Sequence, residues 1–198
     1  MTRGRFVAFE GGDASGKSTQ ARLLAEHLGA VLTREPGGTT IGEQVRAIVL
    51  DPANAVMADR TEALLMAAAR AQHVAEVIEP ALAAGHDVVT DRFLASSVAY
   101  QGHGRGLDPD EVLRLSLWAT EGLQPDLVVL LEVPRPTAVA RLGADLDRLE
   151  AAGEAFHQSV LDGFRRQAEL DPERWLVLDG TGPVDEIQAA VRAALAAR

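Results

Sequence analysis

Phe6-Val7-Ala8-Phe9-Glu10-Gly11-Gly12-Asp13-Ala14-Ser15-Gly16-Lys17-Ser18-Thr19 is the stretch on which the reading of this chain turns. An apolar run of strand character passes into Gly11 to Ser18, which fits the pattern GxxxxGK(S/T). Beyond it, Ala21, Leu24, Ala25 and Leu28 recur at the spacing of an amphipathic helix. Glycines let the loop curl so that backbone N–H groups face an anion, and the helix N-terminus adds partial positive charge. Lys17 then reaches the β and γ phosphates of a nucleoside triphosphate, and the Ser18 hydroxyl is placed to ligate Mg²⁺. A nucleoside triphosphate is the expected ligand of Gly11, Gly12, Asp13, Ala14, Ser15, Gly16, Lys17, Ser18 and Thr19.

Composition reinforces one position in that loop. Of 19 basic residues only Lys17 is a lysine, and the remainder are arginine. A chain that uses arginine elsewhere has kept the compact ammonium where a planar guanidinium does not fit. The same count bears on function classes. A GTPase that reads guanine through an NKxD loop needs a second lysine and a suitable asparagine, but Asn54 is the one asparagine. ATPases that rely on an additional signature lysine lose their hardware in the same way, which favours a nucleotide or metabolite kinase.

Other priors fit a single enzyme-sized domain. The chain has 198 residues, 47% hydrophobic and 24% charged, with a formal net charge of -10. That charge disfavours nonspecific binding to nucleic acid or an anionic membrane. No stretch approaches the ~20 apolar residues of a membrane span. The absence of cysteine excludes disulfides, thiol catalysis and Cys-ligated metals, and the five histidines show no ligand spacing. An N-terminus without an apolar leader makes the cytoplasm the expected compartment.

Apolar runs at Phe6 to Glu10, Ala30 to Thr33, Asp87 to Asp91, Leu127 to Val133 and Trp175 to Asp179 alternate with helical patterns. Near-continuous runs such as Leu127 to Leu131 fit strands buried on both faces, so the expected fold is α/β with a parallel sheet covered by helices. Residues 134–153, where Arg141, Asp145, Asp147, Arg148 and Glu150 crowd around Gly143, are expected to form a lid. A solvated surface with local ion pairs is the alternative.

Asp91-Arg92-Phe93 and Arg34-Glu35-Pro36-Gly37-Gly38-Thr39 each follow a strand, where ligand groups collect in open α/β sheets. Asp91 is suited to hold Mg²⁺ through water, and an arginine clamps a phosphate. With Arg46 and Arg70 on the following helices, four arginines are expected to flank one cleft.

At this point the chain resembles the thymidylate kinase (dTMP kinase) family nearly end to end. The resemblance rests on FEGGDASGKST at 9–19, TREPGGT at 33–39, RAQHV at 70–74, DRFLASSVAYQG at 91–102, LDRLE at 146–150 and LDGT at 178–181. It implies ATP and dTMP giving ADP and dTDP, a P-loop kinase fold with a five-stranded parallel sheet and a small lid, Mg²⁺ and a homodimer. By position it makes Arg92 the arginine for the acceptor phosphate, supported by Arg46, and gives Arg70 a reach to both thymine and phosphate. Ser97 reads the base edge, Tyr100 lies under the deoxyribose, and Gln101 follows in the acceptor site with Glu35 and Pro36. Asp13 joins Lys17 and Arg92 near the reacting groups.

The chain departs from the resemblance in four places. Met66 stands where an aromatic ring commonly stacks on thymine, Phe93 replaces a tyrosine, the loop carries no arginine between its glycines, and Leu142-Gly143-Ala144 occupies a lid region that is usually basic, leaving Arg141 and Arg148. The transition-state cation is therefore expected from the lid, as Arg148, with Arg141 packing near adenine. Two rivals remain: a deoxynucleoside kinase acting on thymidine or a relative, and a noncatalytic ATP-binding regulator.

Overall fold

A computed structural model describes residues 2–143 and 146–198. Strands β1 (Phe6–Glu10), β2 (Val31–Arg34), β3 (Val88–Asp91), β4 (Leu127–Glu132) and β5 (Trp175–Asp179) lie within one residue of the expected segments. They form one parallel sheet in the order β2-β3-β1-β4-β5. The central strand β1 is buried along its whole length, whereas the edge strands β2 and β5 alternate.

The two-residue period of β1 divides the core. Val7 and Phe9 pack on Ala21 and Leu24 of α1 (Lys17–Leu28) and on Ile187 and Val191 of α9 (Val184–Ala196). Phe6 and Ala8 face the other side, against Val74, Ile78, Leu82 and Phe93. A third cluster around Tyr100, Phe156 and Phe164 joins α8 (Glu154–Leu170) to a π-helical stretch, Val98–Gly104, that continues α5 (Leu94–Ser97). Helices α2 (Thr40–Leu50) and α3 (Asp59–His73) wall off the space beyond the strand ends.

Caps follow the local chemistry. The α4 helix (Glu79–Ala83) is followed by Gly85 at φ 84°, and Asp108 caps α6 (Pro109–Ala119), accepting from Asp110 N and Glu111 N. Parallel register brings Arg34 beside Asp91, and Phe9 beside Asp91. The loops leaving β1, β2 and β3 therefore meet at one edge of the sheet, as expected for ligand-bearing loops.

The segment expected as a lid begins with α7 (Arg135–Arg141), and within it Ala144 and Asp145 lie outside the described residues. Its second half is tied down, because Arg148 N donates to Leu50 O at 3.0 Å. Asp147 Oδ1 accepts from Leu149 N and Glu150 N, while Glu150 Oε2 accepts from Asp147 N. This capped turn carries Arg148 toward the protein rather than toward solvent.

Candidate active site

Where the three strand ends meet, a cavity of about 280 Å³ is lined by residues from six separated segments. Lys17, Arg34, Arg46, Arg70 and Arg92 face it together with Asp13, Glu35, Asp91, Asp147 and Glu150. The four arginines expected around one cleft are thus gathered there.

The glycine-rich loop enters first. Gly11 sits at φ 137°, and a Cβ there would lie 2.4 Å from Leu131 O, so both conformation and proximity require glycine. Lys17 Nζ spans the loop, donating to Gly12 O at 2.6 Å and Ser15 Oγ at 3.3 Å. Burial lowers its pKa to about 8, helped by Arg92 and opposed by Asp91, Asp13 and Glu10. Ser18 Oγ donates to Asp91 Oδ2 at 2.5 Å, which places a hydroxyl and a carboxylate oxygen side by side. The Arg141 guanidinium lies over the same loop and donates to Ala14 O and Gly180 O, both at 3.3 Å.

Arg92 ties the glycine-rich loop to Tyr100 across the cavity. It is a non-glycine residue at φ 71°, a conformation held by packing around it. Its guanidinium donates to Gly11 O, Ser96 Oγ, Tyr100 Oη and Asp13 Oδ1, the last at 2.5 Å, and lies 5.0 Å from the Tyr100 ring centroid. Burial works against its charge, but Tyr100, Asp13, Asp91 and Glu10 outweigh this and hold it firmly protonated. Burial likewise opposes the Asp13 charge, yet Arg92 and Lys17 keep its pKa below the ordinary carboxylate value. Burial raises the pKa of the Tyr100 hydroxyl, so it stays a donor, here to Asp13 Oδ2 at 3.1 Å.

Beneath Arg92 lies Glu10, fully buried, accepting from Phe93 N, Ser96 N and Ser96 Oγ. Burial raises its pKa to about 7 despite those donors and the nearby Arg92. The opposite wall of the cavity is a second buried network. Arg70 Nε donates to Glu35 Oε2 at 2.7 Å, and its terminal nitrogens reach Ser116 Oγ and Ser97 Oγ. His73, buried, joins Glu35 Oε1 at 3.0 Å to Thr33 Oγ1 at 2.6 Å. Gly38 is required beside it, since a Cβ would approach the His73 ring to 2.9 Å. Arg46 donates to Pro36 O at 3.0 Å, and burial followed by Arg34 lowers its pKa.

Most of the residues expected in the site are brought together here. Asp13, Ala14, Lys17, Ser18, Glu35, Pro36, Arg46, Met66, Arg70, Asp91, Arg92, Ser97, Tyr100 and Gln101 line the cavity. Met66 also belongs to the core cluster with Val49, Leu149 and Phe156, so it is both wall and packing.

Arg148 departs from its expectation as the phosphate-facing lid cation. It is buried, donating through Nη2 to Glu62 Oε2 at 2.6 Å and through Nε to Val49 O at 2.7 Å. Nor does Arg148 sit on a solvated surface paired with Glu150, because it is buried against Glu62 while Glu150 closes the local turn; the alternative partner, Asp145, lies outside the described residues. A buried carboxylate on α3 attracts the guanidinium more strongly than an exposed neighbour does. Of the two arginines in the segment expected as a lid, Arg141 is the one that contacts the glycine-rich loop.

Ser96 in the cavity lining, and Glu10, Glu62, His73 and Arg105 in the networks behind it, are not among the site residues that the motifs single out. A signal existed for the α3 members, since Glu62, Met66, Ala69, Arg70 and His73 share the helix's buried side, where charged residues need partners.

The thymidylate kinase family model matches residues 9–191. A thymidylate kinase of Geotalea uraniireducens is 47% identical over 98% of this chain and 98% of its own. That of Leifsonia xyli is 51% identical over 98% and 96%. The crystal structure of thymidylate kinase from Ehrlichia chaffeensis superposes with a TM-score of 0.76, at 31% identity, over 98% of this chain and 99% of that one. With the phosphate loop, the arginine-lined cavity and the sheet order in agreement, the chain belongs to the thymidylate kinase family.

Proposed function

We propose that the chain transfers the γ-phosphoryl group of ATP to the 5′-phosphate of dTMP, giving ADP and dTDP, a reaction that supplies dTTP synthesis. The carrying observation is one cavity that joins the Lys17 loop to Arg34, Arg46, Arg70 and Arg92. Two polyanions must approach in line, and cations must neutralise charge that neither sheds. A dTMP phosphate oxygen is already ionised at neutral pH and needs no general base. It forms the new P–O bond as the bond to the β-phosphate breaks, without a covalent enzyme intermediate.

In this reading the loop from Gly11 to Thr19 cradles the ATP phosphates, Lys17 follows the charge on the γ-phosphoryl group, and Arg92 holds the acceptor phosphate with Arg46 behind it. Asp13 fixes Arg92 through the 2.5 Å contact. Arg70, Ser97 and Gln101 receive the base, Tyr100 the deoxyribose, and Met66 one ring face. Arg141 replaces Arg148 as the lid's cation because it already contacts the loop. The lid itself, residues 134–153, remains part of this proposal.

A divalent metal fits the donors present. Ser18 and Asp91 offer two hard oxygens, and among the described residues no cluster of three His, Cys, Asp or Glu forms a cage. That set suits Mg²⁺, which takes its other positions from phosphates and water. When bound, it would neutralise developing charge between β and γ phosphates.

A homodimer and a cytoplasmic setting belong to the same reading. Leu64 on α3 and Trp118 on α6 are 59% and 81% exposed on helices packed together, which gives a second copy apolar surface to cover. No helix among the described residues is long and apolar enough to cross a membrane.

A coupled ADP-release assay with dTMP, dUMP, dCMP and thymidine tests the function. Turnover with dTMP and none with thymidine is expected. Preference for thymidine would restore the deoxynucleoside kinase, and no turnover with any acceptor would leave a nucleotide-binding regulator.

A further inference from the structure

One side chain that lines the cavity is held by a residue that does not line it. Gln101 is fully buried, and its Oε1 has no hydrogen-bond partner among the described residues. The same side chain lines the cavity, while its Nε2 donates to Glu62 Oε1 at 2.8 Å. Glu62 is itself fully buried and also receives Arg148 Nη2 at 2.6 Å, Arg105 Nη2 at 3.1 Å and Arg105 Nε at 3.2 Å. Two guanidiniums compensate the carboxylate, so its remaining acceptor capacity is directed at Gln101.

A carboxylate only accepts hydrogen bonds, whereas an amide has one accepting and one donating end. Reversing the Gln101 amide would set two acceptor oxygens against each other in a buried place, leaving both unsatisfied. Glu62 therefore dictates which end of Gln101 faces the ligand. We infer that Glu62 is a positioning residue for specificity: it locks Gln101 as an obligate acceptor, which selects a pyrimidine whose ring N3 carries hydrogen and rejects one whose N3 is a bare acceptor.

Ser97, one helical turn before Gln101, completes the reading. Arg70 Nη2 donates to Ser97 Oγ at 3.0 Å and takes up a lone pair, which leaves the hydroxyl hydrogen for a ligand carbonyl. A donor from Ser97 beside an acceptor from Gln101 matches a C=O next to an N–H, the keto edge of thymine or uracil. Cytosine presents the opposite pattern. The lid segment enters through Arg148, whose loss would unbalance Glu62 but leave Arg105 in place.

This inference rests on dTMP as acceptor, and the experiment separates the two. The measured quantity is the ratio of kcat/KM for dTMP to that for dCMP in wild type, Glu62→Gln, Gln101→Leu and the double variant. A glutamine at 62 can pair with either end of the Gln101 amide, so the ratio is expected to fall by about 10-fold or more, with the KM for ATP within about twofold of wild type. Gln101→Leu is expected to lower the ratio as far, and adding Glu62→Gln to it to change nothing further. An unchanged ratio in Glu62→Gln, or losses that multiply in the double variant, would overturn the inference. Wild type that fails to use dTMP would instead defeat the functional reading.

A measurement on wild type alone guards against variants that do not fold. The Gln101 side-chain amide is expected to show a slowly exchanging proton before dTMP is added, since Glu62 already holds its Nε2. Amide protons that exchange freely until dTMP binds would detach Gln101 from Glu62 and refute the role given to Glu62.

Discussion

Around the cavity, the loop between β1 and α1 and the helix α3 stand as two walls of opposite construction. The loop wall is local: Gly11, Gly12, Lys17 and Ser18 lie within eight residues, and the groups it can offer an anion are backbone N–H groups and one ammonium. The α3 wall is assembled at a distance. Glu62 meets Arg148 from 86 residues away, and Arg70 meets Glu35 and Ser97 from 35 and 27 residues away. A wall of backbone tolerates little change in shape, whereas a wall of paired side chains fails when one partner is left with buried charge. Damage to the first is expected to appear mainly in catalysis, and damage to the second in stability or base choice.

The largest expected effect tests the loop wall. Lys17→Arg keeps the charge, but the enlarged guanidinium has no room where Nζ lies 2.6 Å from Gly12 O in a nearly closed loop. A loss of about 10² to 10³ in kcat is expected, the size seen when one preorganised charge-stabilising group is removed. The melting temperature is expected to move little. Near-normal turnover would take Lys17 out of phosphoryl transfer and erase the contrast between the walls.

Arg148→Ala makes the opposite test. Glu62 would keep Arg105 but lose its shortest ion pair, and breaking a buried pair costs about 3 kcal/mol or somewhat more. In a chain of this length that corresponds to roughly 6 to 12 °C in melting temperature. The kcat is expected to stay within a few-fold of wild type, since the guanidinium is turned toward α3. A large fall in kcat with unchanged melting temperature would return Arg148 to the transferring phosphates.

This difference in construction also explains what could be read from the residues alone. GxxxxGK(S/T) after an apolar run reveals the loop because its chemistry is contiguous, and alternating apolar segments reveal the sheet because burial of parallel strands imposes such runs. Arg34, Arg46, Arg70 and Arg92 could be assigned to one cleft because strand ends converge in such a sheet. LDRLE points Arg148 at the ligand because the segment carries no hint of the carboxylate that Arg148 meets across space. Glu10 was hidden in a strand, where a lone charge between Phe9 and Gly11 says nothing of the three donors that surround it. Local pattern carries elements and loops, while buried pairing needs the packed chain.

Glu10 sharpens the comparison, because its hydrogen bonds come from two N–H groups and a hydroxyl, not from a guanidinium like those that meet Glu35 and Glu62. Its pKa of about 7 in the fold lies above the ordinary 4.5. Between pH 4.5 and 7 the folded chain therefore holds a proton that the unfolded chain has released, and stability declines as pH rises through this window. The decline attributable to Glu10 amounts to at most about 3 kcal/mol. Denaturant unfolding of wild type and Glu10→Gln at several pH values is expected to show this slope in the difference between them. Parallel curves would mean that Glu10 is ionised throughout.

The smallest effect concerns Met66, where the two walls come closest in character. The side chain faces the cavity and also packs with Val49, Leu149 and Phe156, so a larger ring must serve two demands. If the cavity face governs, Met66→Phe stacks on the base and gains roughly 0.5 to 1.5 kcal/mol, about 2- to 12-fold in dTMP affinity. If the packed face governs, overpacking costs about 1 to 3 kcal/mol and the chain melts lower with no gain in affinity. The flexible thioether fills both spaces without straining either. The expected outcome is tighter dTMP binding with a small fall in melting temperature, because the open cavity gives the ring one direction in which to relax. Titration calorimetry with dTMP and thermal melts on the same samples check it. Weaker binding together with a large fall in melting temperature would place Met66 wholly in the core and move base stacking to another residue.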